Sequence, residues 1–128
     1  MSTTRVAAIQ MVSAPEVASN LEATGRLVAQ AAAGGAKIAA LPEFFCVLGG
    51  RDTDKLKVRE RDGAGPIQDF LAETARRNRI WLVGGTVPLE CGDAGRVRNA
   101  SLVFDDAGNR IARYDKIHLF AYRSASES

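Results

Sequence analysis

Runs of apolar residues along the chain come in two lengths, and the difference separates strands from helices. Val6 to Val12 (VAAIQMV) is almost continuously apolar and stops at Ser13 and Pro15, which predicts a strand covered on both faces. Ser19 followed by Glu22 has capping-box spacing, and Leu21, Thr24, Leu27, Val28, Ala31 and Ala32 then recur at helical intervals. Gly34 and Gly35 supply a left-handed stop, so a helix over Ser19 to Ala33 is expected. Lys37 to Leu41 (KIAAL) is too short for a helix and is bounded by Gly35 and Pro42. Strand, helix and strand then form a βαβ unit with parallel strands.

Phe44 to Gly65 shows no period and mixes Gly49, Gly50, Gly63 and Gly65 with many charges, which predicts a long surface loop with room for one short helix. Loops of this length in compact domains usually carry function or move. Pro66 suits the first position of a second helix, whose apolar face is Ile67, Phe70, Leu71, Thr74 and Ala75 and which ends near Asn78. Arg76, Arg77 and Arg79 fall at that helix end, where cations answer the dipole. Ile80 to Val87 (IWLVGGTV) predicts a third strand and Pro88 to Arg96 a turn region. Val97 to Phe104 and Arg110 to Tyr114 read as two strands joined by Asp105-Asp106-Ala107-Gly108-Asn109, a hairpin turn. The expected fold is α/β, β-α-β-α-β followed by an antiparallel hairpin. The last eight residues, AYRSASES over 121–128, read as a polar tail distinct from residues 1–120.

Composition narrows the function classes more than it identifies one. With 128 residues, 46% hydrophobic and 25% charged, the chain is an ordinary globular domain, large enough to bury roughly two thirds of its surface. Seventeen basic residues against fifteen acidic ones are scattered, so no nucleic-acid stripe is indicated. No apolar run approaches a membrane span, and the first twelve residues are too short and too polar for a secretory core. A cytoplasmic protein with two reduced thiols, Cys46 and Cys91, is expected. Gly63 and Gly65 do not follow a strand and complete no dinucleotide fingerprint.

Open α/β sheets place ligands beyond the carboxyl ends of their strands, which singles out Glu43, Lys116 and His118. Glu43 is a candidate general base if Phe44 and Phe45 desolvate it, and otherwise a solvated loop carboxylate. Lys116 is a candidate to face a developing oxyanion, or a strand-end lysine paired with Asp115 or snorkelling to water. His118 is the only histidine, so no histidine metal triad is available and a packed, hydrogen-bonded ring is the simpler reading. Cys46 reads as a loop thiol or a nucleophile, although no adjacent group lowers its pKa, and Cys91 reads as a turn thiol.

Three ordered blocks, VAAIQM, NLEATGRLVAQAAAGGAKIAALPEFF and NASLVFDDAGNRIARYDKIHLF, closely resemble the amino-terminal half of the nitrilase superfamily, the carbon–nitrogen hydrolases. The likeness covers about Arg5 to Phe120. It implies half of a four-layer αββα sandwich, with Glu43 as general base and Lys116 as the stabiliser of the tetrahedral intermediate. It implies no cofactor or metal. The family's nucleophilic cysteine belongs to a later segment that matches neither Cys46 nor Cys91, and a second family glutamate has no counterpart unless Glu127 is counted. The expectation is therefore an inactive isolated chain whose uncovered sheet face favours a homo-oligomer. LPEFF followed by CVLGGRD is most similar to the branch of amidases acting on small ω-amides or deaminated-glutathione-type substrates. The rival reading is a non-catalytic α/β interaction module using that exposed face.

Overall fold

The computed structural model describes residues 2–51 and 53–117. His118, Glu127 and the expected tail over 121–128 lie outside the described residues. The element order is β1 (Val6–Ala8), α1 (Val17–Ala33), β2 (Ile38–Ala40), α2 (Asp54–Lys57), α3 (Pro66–Asn78), β3 (Trp81–Val83), β4 (Val87–Glu90), β5 (Val97–Phe104) and β6 (Arg110–Asp115). One sheet runs β1-β2-β3-β5-β4, with β6 on the remaining side of β5. Strands β1, β2 and β3 are parallel, as the βαβ pattern requires, and β5 is antiparallel to its three neighbours.

Helices α1 and α3 cover one face of this sheet. Across the register, Ala39, Leu82 and Phe104 share that covered face and are buried together with Ala100 and Leu102. Helix α3 contributes Ile67, Leu71 and Ala75, and α1 contributes Val28, to the same core. The opposite face carries Val6, Ile38 and Trp81 in one row and Ala8, Ala40, Val83 and Val103 in the next. Val6 is 63% and Trp81 41% exposed, so this second face is not covered among the described residues.

The two long helices form near the expected places, α3 with Pro66 at its start and Arg76 and Arg77 in its last turn as expected, whereas the start of α1 differs. Helix α1 starts at Val17 rather than Ser19, and no side chain caps it. Ser19 donates its hydroxyl to the Glu16 carbonyl instead, so the predicted capping box does not form. Strand β1 is also shorter than Val6 to Val12. After Ile9 N–H donates to the Ala40 carbonyl the chain leaves the sheet, the Ser13 hydroxyl donates to the Phe45 carbonyl and the Ala14 amide donates to the Asn20 side chain on α1. At the end of α3, Arg76 and Arg77 pair with Glu73, and Arg79 takes the left-handed cap.

The largest departure lies between β3 and β4. A single strand was expected through Ile80 to Val87, with a turn from Pro88. The structure instead pairs Val83 with Val103 and Val87 with Ala100, leaving Gly84, Gly85 and Thr86 opposite only Ser101 and Leu102. One extra residue makes a β-bulge. Because side chains alternate with period two, that extra residue turns Val87 and Leu89 onto the covered face, where both are fully buried. Pro88 to Glu90 are consequently strand, and the turn begins only at Cys91.

The loop between β2 and α3 is less superficial than its sequence suggests. It contains the expected short helix, α2, but Phe45, Cys46 and Val47 are part of the core. Glu60 bridges to the free edge of β4 through its backbone and turns its carboxylate under the start of α3. There it accepts hydrogen bonds from the Ile67 amide at 2.6 Å, the Gln68 amide at 3.1 Å and the Gln68 side chain at 3.1 Å. A carboxylate at that position satisfies otherwise orphaned donors and meets the positive end of the helix dipole. Gly65, at φ 146°, leaves room for it, since a Cβ there would collide with the Glu60 carboxyl. Glu60→Ala strands two buried backbone donors and is expected to cost about 2–4 kcal/mol. A lower denaturant midpoint with an unchanged slope checks this, and a shift equivalent to less than about 0.5 kcal/mol contradicts it.

Candidate active site

Glu43 follows β2 directly, in a turn that leaves the sheet at Pro42. Lys116 follows β6, whose ladder continues one residue further because the Lys116 amide donates to the Asn99 carbonyl at 3.0 Å. Period-two alternation puts Lys116 on the same face as Tyr114, which pairs with Ser101 on the uncovered side of the sheet. The two side chains meet there, with Lys116 Nζ 2.7 Å from Glu43 Oε1 across 73 residues of sequence. The pair borders a hollow of about 240 Å³ lined by Leu41, Val83, Asn99, Ser101 and Tyr114 among others. A second cavity of about 430 Å³ opens beside it, between Phe44, the 47–51 segment, α2 and Lys116.

The environment of Glu43 is more polar than the flanking phenylalanines suggest. Its side chain is 42% exposed, so of the two environments the sequence leaves open the solvated one is found, and Phe44 and Phe45 do not desolvate it. Phe45 points into the core instead, and the ring of Phe44 lies under the Lys55 ammonium at 3.6 Å. Lys116 is not paired with Asp115, which is held by Arg113 at 2.7 Å. Its counter-ion is Glu43.

Three polar contacts from other elements hold the Glu43 turn. The Ser13 hydroxyl donates to the Phe45 carbonyl at 3.0 Å, and the Asn20 amide donates to the Cys46 carbonyl at 2.9 Å. The Phe44 amide donates to the Thr86 hydroxyl at 2.9 Å. Phe44 itself has φ 57°, a left-handed conformation that costs a non-glycine residue about 1–3 kcal/mol unless its surroundings enforce it. Gly85, at φ 56°, lets the bulge press against this turn, since a Cβ there would run into the Pro42 carbonyl oxygen.

None of Ser13, Asn20 and Thr86 is marked by the sequence, because each is an unexceptional polar residue in an apolar neighbourhood. Asn20 is the clearest case. It is buried on α1 and also accepts from the Ala14 amide at 2.8 Å, so it joins the turn after β1 to the turn after β2.

Cys46 does not lie on the surface as a loop thiol would. It is fully buried, and burial pushes its pKa up to about 12, which leaves a poor nucleophile at neutral pH. Cys91 is partly exposed, with its thiol directed at the Arg96 carbonyl at 3.5 Å. Both are free thiols. Among the described residues no group of three metal-ligating side chains converges, and no helix is long and apolar enough to cross a membrane.

The chain has relatives in both sequence and fold. Residues 5–128 match the Carbon-nitrogen hydrolase family, and the chain belongs to that family. The deaminated glutathione amidase of Synechocystis sp. (strain PCC 6803 / GT-S) is 35% identical over 115 residues, which is 89% of this chain and 42% of that protein. The omega-amidase NIT2 of Danio rerio is 38% identical over 120 residues, 94% of this chain and 42% of that one. Among solved structures, the C. elegans NitFhit protein superposes with a TM-score of 0.82 at 26% identity, covering 100% of this chain and 32% of its own. Saccharomyces cerevisiae Nit3, a member of branch 10 of the nitrilase superfamily, gives 0.72 at 26% identity over 83% of this chain and 41% of its own. The chain thus spans about two fifths of the length of the curated relatives it matches.

Proposed function

We propose that this chain carries the general base and the oxyanion-facing cation of an amidase acting on small ω-amides of the deaminated-glutathione type, with the nucleophilic thiol supplied from outside the described residues. The observation that carries the reading is the 2.7 Å contact between Glu43 and Lys116 beside an open hollow. The names of the curated relatives support the substrate class.

In this scheme the Glu43 carboxylate takes the proton of a thiol as sulfur attacks the amide carbon. Negative charge gathers on the former carbonyl oxygen, within reach of the Lys116 ammonium. Glu43 then returns its proton to the departing nitrogen, so ammonia leaves and a thioester remains. Water, deprotonated by the same carboxylate, completes the hydrolysis and frees the thiol. The chain's own residues perform the proton transfers and the charge stabilisation, and no metal or cofactor takes part. Neither Cys46 nor Cys91 suits the nucleophile's role, the first because it is buried and protonated, the second because it sits in a turn beyond β4. A cytoplasmic setting fits two free thiols.

The exposed face bearing Val6, Trp81 and Tyr114 favours a second reading, a non-catalytic module that binds a partner or further copies of itself. Ammonia release separates the two. The 128-residue chain alone is expected to release none from a small ω-amide, and the chain combined with a cysteine-bearing carboxyl-terminal half of a family amidase is expected to turn over. Hydrolysis by the chain alone that disappears with Cys46→Ala overturns the assignment. A folded combination that never turns over favours the interaction module.

A further inference from the structure

The bulge between β3 and β4 is placed where it touches the turn that carries Glu43. It brings three things to that turn. Gly85 allows the close approach to Pro42, the Thr86 carbonyl accepts from the Cys46 thiol at 3.7 Å, and the Thr86 hydroxyl accepts from the Phe44 amide. The last contact falls on the one residue of the turn with a left-handed backbone, immediately after Glu43. In an unbulged strand the phase of the side chains would put Val87 on the uncovered face and no residue of β3 or β4 would be released from the ladder. The extra residue frees Thr86 to serve as an acceptor.

We propose that Thr86 is a positioning residue for Glu43: its hydroxyl binds the Phe44 N–H, holds Phe44 in the left-handed conformation, and thereby aims the Glu43 carboxylate at Lys116. Ser13 and Asn20 hold the far side of the turn through the carbonyls of Phe45 and Cys46, so they fix where the turn sits rather than which way Glu43 points. Thr86 alone among the three bonds to an amide next to the base. The proposal rests on reading Glu43 as the base, and its consequences for geometry are measurable without turnover.

The test uses the 128-residue chain with Thr86→Val, which keeps the shape and removes the acceptor, and Thr86→Ser, which keeps the hydroxyl. Two quantities are read: hydrogen–deuterium exchange at the Phe44 amide, and the yield of a carbodiimide zero-length cross-link between Glu43 and Lys116 mapped by peptide mass. Thr86→Val is expected to speed Phe44 exchange by about fivefold or more, the equivalent of one lost hydrogen bond, and to cut the cross-link by about threefold or more. Thr86→Ser is expected to leave both within about twofold of the parent chain. Unchanged exchange or cross-linking in Thr86→Val overturns the proposal, as does failure of Thr86→Ser to retain the parent values. An equal rise in exchange at Leu82 and Leu102 overturns it too, because that result makes Thr86 a general support of the sheet. Both readouts report position, so an error in the assignment of Glu43 as base leaves them intact and appears only in turnover by Glu43→Gln.

Discussion

Glu43→Gln in the turning-over combination is expected to reduce kcat by about 10²–10⁴-fold, the range that a positioned general base contributes. The replacement is nearly isosteric and keeps an acceptor oxygen for Lys116, so the 2.7 Å contact has no steric reason to break. What disappears is the capacity to take and return a proton. Binding of substrate is expected to change little, because in the proposed scheme the carboxylate acts on the thiol and the leaving group rather than on the ground-state amide, so the loss is expected on kcat more than on KM. Full activity after this substitution removes Glu43 from the mechanism. A parallel fall in thermal stability would point to a structural cause, which is why the unfolding midpoint belongs in the same experiment.

Lys116→Ala is expected to cost about 10²–10³-fold in kcat, comparable to removing one preorganised donor from an oxyanion site. Its effect on stability is expected to be small. The pair is partly exposed, at 27% for the lysine side chain and 42% for the glutamate, and ion pairs in such settings contribute about 0–1 kcal/mol. A large kinetic loss beside an almost unchanged midpoint is the signature of a group placed for chemistry. The opposite pattern, a strong loss of stability with activity proportional to the folded fraction, assigns Lys116 to the fold and contradicts the proposed role.

The neighbouring charges show why such placement cannot be inferred from charge proximity along the chain. Asp115 is adjacent to Lys116 in sequence, yet side chains on consecutive strand residues point to opposite faces, and Asp115 pairs with Arg113 instead. Arg113 also reaches Asp62 in the loop before α3, as does Arg110, whose hydrogen bond holds the Asp62 carboxyl below the usual carboxylate range. These contacts fasten β6 to the covered side of the sheet while Lys116 stays on the other.

By itself the sequence determined the order and type of the long elements and the identity of the candidate pair. Apolar runs near Val6, Ile38 and Val97, the helical spacing of Leu21 to Ala32 and Ile67 to Ala75, and the turn at Asp105 to Asn109 are local signals, set by periodicity and turn chemistry within about fifteen residues. Position beyond the strand ends singled out Glu43, Lys116 and His118, and the family resemblance of the three ordered blocks narrowed these candidates to Glu43 and Lys116. Only the tertiary structure decided that these two side chains meet, that Phe45 and Cys46 turn inward, and that Asn20, Glu60 and Thr86 carry polar contacts at buried positions or at the site. The reason is register. Whether Thr86 pairs in a ladder or faces Phe44, and whether Val87 points to core or solvent, turns on one extra residue opposite β5, and the apolar run IWLVGGTV is compatible with either phase. That phase is settled by burying Val87 and Leu89 against the helices, an energy that exists only once α3 and β5 have come together.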